Sequence, residues 1–148
     1  MHKRILIVGG VAGGASVAAR VRRIDGGAEV IMFDKGPHVS FSNCALPYHL
    51  SGMIENSQDL VLMSPEKFKK QYNIEARVNS EVVSIDRDSK KITVRDLTTG
   101  KDYEEAYDKL VLSPGASPIL PRSIDGIDSQ HVFTVRNVVD IEKISKYI

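Results

Sequence analysis

Two groups of residues in this sequence combine types and spacings that can do chemistry. The first is Gly9-Gly10-Val11-Ala12-Gly13-Gly14, followed by Asp34 twenty residues after Gly14. Glycines at both ends of a six-residue loop let a strand turn sharply into a helix, and the amide N–H groups that open such a helix can hold a diphosphate. In this reading Gly9 permits the tight turn, Gly14 lets the helix pack close to the strand, and Asp34 accepts hydrogen bonds from an adenosine ribose. Val11 stands where the dinucleotide fingerprint has its middle glycine, and it forbids the closest approach of backbone to phosphate. A glycine-rich structural turn is the alternative for the loop taken alone.

The second is Cys44, the one cysteine of the chain, inside Ser40-Phe41-Ser42-Asn43-Cys44-Ala45-Leu46-Pro47-Tyr48. That stretch is polar and loop-like rather than an apolar stripe. A cysteine is a nucleophile as its thiolate, which nearby cations or helix amides favour. With no CxxC partner, a redox cycle at Cys44 needs a sulfenic acid or a mixed disulfide with an outside thiol. The other reading is a small buried hydrophobe. One cysteine forms neither an internal disulfide nor a four-ligand zinc site, and no metal site is expected.

The elements that must position these residues follow from periodicity. Arg4 to Val8 is a nearly continuous apolar run, the mark of a strand covered on both faces in a parallel sheet. A helix is predicted from Gly13 to about Ile24, with Val17, Val21 and Ile24 on one stripe and Ser16, Arg20 and Arg23 on its neighbour. Arg22 is expected to face solvent. Glu29 to Phe33 is the next strand, closing a βαβ unit for which a right-handed crossover is expected. Lys35 to Gly52 reads as a working loop or a bent helical segment. Ser64-Pro65-Glu66 combines a cap, a first-position proline and an acid, and opens a short helix to about Tyr72.

Ile74 to Val78, Glu81 to Asp86, Ile92 to Asp96 and Asp102 to Tyr107 read as an antiparallel meander of short strands. Lys109 to Leu112 is another buried strand, broken by Ser113-Pro114-Gly115. Such a turn lets the backbone approach a second part of the same cofactor, and it favours FAD over a nicotinamide dinucleotide; an ordinary strand-ending turn is the alternative. Asn137 to Ile148 is predicted as a capped helix that runs to the final residue. That ending, with too few βαβ strands to bury both faces of a parallel sheet, leads us to expect an incomplete domain.

Composition narrows the classes. The chain has 148 residues, 42% hydrophobic and 26% charged, within the range of soluble globular domains and outside that of disordered, collagenous or coiled-coil chains. Twenty basic and nineteen acidic side chains leave a net charge of +1, so neither nucleic acid nor a membrane surface is the expected partner. The start, MHKR followed by ILIVGGVAGGASVAA, has the outline of a secretory signal, but the glycines and alanines crowded between Gly9 and Gly14 fit a strand-to-helix turn better. A cytoplasmic protein without a transmembrane helix is expected.

Taken together, VGGVAGG after the first strand, SFSNCALPYHLSG around Cys44, SPEKF and YDKLVLSPGASP resemble the single-cysteine branch of the FAD-dependent pyridine nucleotide-disulfide oxidoreductases, and within it the coenzyme A-disulfide reductase group. The resemblance covers all 148 residues, and the cysteine motif is its most specific part. It implies a Rossmann-like α/β fold of three-layer ββα type with an antiparallel meander, residues 1–148 being the N-terminal part of the FAD-binding domain. Nicotinamide-binding and dimerisation domains would lie outside this chain, which alone would not turn over. The full-length protein would be a homodimer.

By the same resemblance Gly9, Gly10, Val11, Ala12, Gly13, Gly14, Asp34, Lys35, Val82, Ser113 and Gly115 touch FAD, Val82 through backbone contacts near the adenine. Members of the branch commonly lack the middle glycine, so Val11 agrees with it. Cys44 is the implied redox nucleophile. Ser16, Arg20, Arg23, Ser40 and Asn43 are the implied coenzyme A site; two guanidinium groups on one helix stripe suit nucleotide phosphates, although a merely solvated face is the plainer reading of Arg20 and Arg23. Electrons would come from NADH or NADPH through FAD to a mixed disulfide of Cys44 and coenzyme A.

Two other functions remain open at this point. NADH oxidases and peroxidases of the branch work through a cysteine sulfenic acid, and there a histidine often stands where this chain has Ala12, which moves no proton. That difference favours coenzyme A disulfide, or a persulfide or polysulfide of it, over oxygen or peroxide. The other is a non-catalytic FAD-binding module in which Cys44 is inert packing.

Overall fold

The computed structural model describes residues 2–148. In chain order the regular elements are β1 (Arg4–Val8), α1 (Ala12–Ile24), β2 (Glu29–Phe33), α2 (Leu46–Leu50), α3 (Pro65–Tyr72), β3 (Glu75–Arg77), β4 (Ser80–Asp86), β5 (Lys91–Asp96), β6 (Asp102–Ala106), β7 (Lys109–Leu112) and α4 (Val138–Tyr147), with 3₁₀ turns at Asn43–Ala45 and Ser57–Leu60. The chain divides into two compact units, Met1–Ser40 with Met63–Pro114, and Phe41–Leu62 with Gly115–Ile148.

The first unit is a mixed α/β body. A four-stranded parallel sheet in the order β3-β2-β1-β7 accompanies a three-stranded antiparallel sheet, β4-β5-β6. Successive side chains on a strand point to opposite faces, and here both faces are buried. Ile5, Ile7, Val30 and Met32 face the helices and pack with Ala18 and Phe68, whereas Leu6, Ile31 and Phe33 face the meander and pack with Ile92 and Val94. Two cores on one sheet give the expected three layers, helix, parallel sheet and meander. Full burial of each such side chain stabilises the fold by roughly 1.5–3 kcal/mol.

Three expectations change. Residues 74–78 do not join the meander: β3 pairs in parallel with β2, Phe33 opposite Arg77, and only β4, β5 and β6 form the antiparallel sheet. The reason lies in the flanks. Asn73 ends α3 at φ 48° and Asn79 turns the chain again at φ 50°, so β3 is the return strand of a helical crossover, isolated by a turn from β4. Second, Ile24 is 71% exposed; α1 buries Gly14 and Ala18 instead, because a small-residue face lets the helix approach the sheet. Third, Arg22 does not hang in solvent. Its guanidinium donates to the carbonyls of Gly26 (2.6 Å) and Asn73 (2.8 Å), tying the end of α1 to the end of α3, and its Nε–H is buried without a protein acceptor among the described residues.

The second unit is smaller and has no sheet among the described residues. Leu46, Leu60, Val138 and Ile141 form its core, with Phe41, Leu50 and Val61 packed around them. A capping box fixes the start of α4: the Asn137 side chain accepts the Asp140 N–H and the Asp140 carboxylate accepts the Asn137 N–H. No helix among the described residues is long and apolar enough to cross a membrane.

Candidate functional site

The glycine loop of the first unit is built by close backbone contact. Gly9 follows β1 at φ +92° and donates its N–H to the Phe33 carbonyl at 2.8 Å. A Cβ on Gly9 would stand 2.0 Å from the Ser113 carbonyl oxygen, and one on Gly14 would stand 1.7 Å from the Gly9 carbonyl oxygen. Both glycines are therefore steric requirements, of the tight turn and of the close helix approach. Gly10 is a third, and no local sequence signal announces it, since its Cβ would lie 2.6 Å from Cγ1 of Val39.

Asp34 braces the same loop. One carboxylate oxygen accepts the Gly10 N–H and the other accepts the Gly36 N–H, both at 2.8 Å. A carboxylate oxygen has two lone pairs, so each keeps one acceptor position for an incoming hydroxyl. Ser40, at φ 49°, donates its N–H to the Gly10 carbonyl at 2.8 Å. Ser113 doubles its hold on β1, with N–H (2.8 Å) and hydroxyl (3.0 Å) both donated to the Val8 carbonyl.

Val11 is the N-cap of α1 and gives it no side-chain cap; the first turn carries no acid, and the last turn carries Arg22 and Arg23. The positive end of the helix dipole, with exposed Ala12 and Gly13, thus meets no carboxylate of its own helix. Uncapped amides beside a hydroxyl-accepting aspartate fit a diphosphate joined to a ribose.

The structure thus gathers Gly9, Gly10, Gly13, Gly14, Asp34, Ser40 and Ser113 through direct contacts or contacts a single Cβ would make. Val82 sits apart on β4, opposite Val94, with a register shift between Val82 and Ser84. Its side chain packs on the Leu6–Ile31–Phe33 core. Lys35 is exposed. Ser16, Arg20 and Arg23 are all exposed along α1, at the spacing of one helical stripe.

Cys44 belongs to the second unit, in the 3₁₀ turn Asn43–Ala45. It is exposed, so a small buried hydrophobe does not describe it. Ser42 occupies the N-cap of that turn, yet its hydroxyl makes no cap and lies 3.4 Å from the Cys44 sulfur. The backbone there is fixed by the Ser42 N–H on the Leu60 carbonyl (2.9 Å) and by the Phe41–Val61 bridge. The Asn43 side-chain oxygen is buried with no hydrogen-bond donor among the described residues. Gly115, also in this unit, has φ +73°, and a Cβ there would lie 2.8 Å from a guanidinium nitrogen of Arg136. Ser42 and Arg136 carry no mark in the sequence beyond nearness to Cys44 in one case and a helix cap in the other.

Comparison with known proteins places nearly the whole chain in one family. Residues 3–147 match the family described as Pyridine nucleotide-disulphide oxidoreductase. A coenzyme A disulfide reductase of Staphylococcus haemolyticus is 37% identical over 146 residues, covering 99% of this chain and 32% of that protein. The crystal structure of reduced Bacillus anthracis CoADR-RHD superposes with a TM-score of 0.95 at 49% identity, over 100% of this chain and 27% of that one. The water-forming NADH oxidase from Lactobacillus brevis, solved with bound NADH, gives 0.89 at 31%, over 98% of this chain and 32% of that one. The chain spans about a third of the length of the curated relatives it matches.

Proposed function

The chain belongs to the pyridine nucleotide-disulphide oxidoreductase family, and from that premise we propose that it is the N-terminal FAD-domain segment of an NADH- or NADPH-dependent reductase that cleaves coenzyme A disulfide, or a persulfide of coenzyme A, through Cys44. The observation that carries the reading is the exposed sulfur of Cys44, held in a fixed 3₁₀ turn beside a serine hydroxyl rather than packed in a core. When bound, FAD relays two electrons from a nicotinamide to sulfur. The amides opening α1 would hold its diphosphate, Asp34 its ribose, and the Val82 backbone its adenine edge, with Ser113 and Gly115 in the turn after β7 contributing further contacts.

The Cys44 thiolate attacks one sulfur of the disulfide, forming a Cys44–coenzyme A mixed disulfide and releasing one coenzyme A thiolate. Two electrons and one proton then return Cys44 to thiolate and release the second coenzyme A as thiol. Arg20 and Arg23, exposed on α1 with Ser16, present cationic donors suited to the nucleotide phosphates of this substrate, and Ser40 and Asn43 supply polar contacts. Ala12 brings no proton donor to the loop, which favours a disulfide over oxygen as the acceptor.

Intact-mass measurement after exposure to coenzyme A disulfide tests the proposal. One adduct of coenzyme A per chain is expected, removed by reductant and missing from Cys44→Ser. A folded protein that takes up no adduct overturns it. Rapid oxygen consumption by the full-length enzyme with no disulfide added would instead assign it to the oxidases.

A further inference from the structure

Asp34 is held through its backbone as well as its side chain. Its N–H donates to the Arg77 carbonyl and its carbonyl accepts the Ser80 N–H, each at 2.9 Å. Phe33, the residue before it, lies opposite Arg77 in the β2–β3 pair. The end of β2 is thus set by where Arg77 stands. Yet β3 is a three-residue strand at the edge of its sheet, with too short a ladder to be stiff by itself.

The side chain of Arg77 supplies what the ladder lacks. Its guanidinium lies 5.4 Å from the centre of the Phe33 ring and 5.7 Å from that of Tyr103. It bonds the carboxylates of Glu75 (2.6 Å) and Glu105, and reaches the Tyr103 hydroxyl at 3.4 Å. Glu105 in turn bonds Arg4 on β1, so one carboxylate of β6 joins two strands of the parallel sheet. Burial works against the charge of Arg77, but the hydrogen bonds it donates to Glu105, Tyr103 and Glu75 outweigh it and hold its pKa above the ordinary arginine value. A solvated edge arginine needs none of these partners.

We propose that Arg77 is a positioning residue for Asp34: its guanidinium, set against Phe33 and Tyr103 and bonded by Glu105 and Glu75, fixes the end of β2 so that the Asp34 carboxylate meets the ribose hydroxyls of an adenine nucleotide. This rests on the reading that Asp34 takes the ribose. Arg77 touches no ligand; it acts through the strand end it locks. Removing its side chain leaves Glu105 with Arg4, so the variant does not strand a buried carboxylate.

Calorimetric titration with ADP and with 2′,3′-dideoxy-ADP, which lacks the ribose hydroxyls, tests the proposal on the parent, Asp34→Ala, Arg77→Met and Arg77→Lys proteins. The parent is expected to prefer ADP, and Asp34→Ala to lose that preference. Arg77→Met is expected to cut it by about tenfold while changing dideoxy-ADP affinity less than about twofold, a coupling of the size found between contacting residues. Arg77→Lys, which keeps the charge without the planar fork, falls between. Parallel weakening of both ligands, or no change in either, overturns the positioning role. A parent that binds the two ligands equally overturns the ribose reading of Asp34, and this inference with it.

Discussion

The glycine loop and the cysteine turn reach fixed geometry by opposite means. Around the loop, position is enforced by exclusion: backbone atoms of Gly9, Gly14 and Ser113 come so close that no side chain fits between them. Around Cys44, position comes from a few directed bonds, with the Ser42 N–H on Leu60 and the buried Leu46, Leu60, Val138 and Ile141 below. The first arrangement tolerates no change of residue, whereas the second leaves its reactive atom free of structural duty. A binding surface made of backbone has to be unyielding, and a nucleophile has to be reachable.

Substitutions can break or sharpen that contrast. The largest effect is expected from Gly14→Ala, whose methyl would sit 1.7 Å from a backbone oxygen: a loss of about 4 kcal/mol or failure to fold, read by chemical denaturation. Gly126→Ala, at positive φ (78°) but with nothing within 4 Å of the added Cβ, is expected to lose about 1 kcal/mol. Equal losses at the two glycines would refute the claim that exclusion shapes the loop.

A smaller effect is expected from Glu105→Gln, about 2 kcal/mol near neutral pH, because two arginines lose a charged acceptor. Its pH dependence has a definite sign. Burial raises the Glu105 pKa, but the hydrogen bonds from Arg77 and Arg4 outweigh it and leave the folded value below the ordinary glutamate value. The stabilisation is therefore complete above the unfolded pKa and is lost as pH falls through the folded one, so parent and variant should converge in acid. A gap that stays constant down to strongly acidic pH would contradict the network.

The smallest effect on stability is expected from Cys44→Ser, within about 0.5 kcal/mol, since the side chain is exposed. Loss of thiol labelling should be complete all the same. A large drop in melting temperature would show that the sulfur carries packing after all.

The sequence made the loop legible because steric demands are local. The apolar run of β1, the glycines, and Asp34 at the end of β2 predict the arrangement found, as do the cap at Ser64 and the helix after Asn137. The meander was only partly legible. Glu75-Ala76-Arg77 carries a strand's residues but no mark of which neighbour it joins, and its pairing depends on β2, far away along the chain. Arg22 looked like a solvent-facing cation because the carbonyl of Asn73, its acceptor, comes from a distant turn. For Cys44 the polar surroundings predicted a loop or bent helix; the hydroxyl of Ser42 beside the sulfur depends on a cap that goes unmade, which only the fold decides.

The doubly engaged carboxylate of Asp34 has one more consequence. Asparagine matches aspartate almost atom for atom, yet it would be a poor replacement, because its amide nitrogen would point a hydrogen at the N–H of either Gly10 or Gly36. Near-identity of shape would here produce repulsion, and a shorter apolar residue that simply lets water in would be the gentler change. At this position likeness in outline is the wrong guide to which mutations the protein survives.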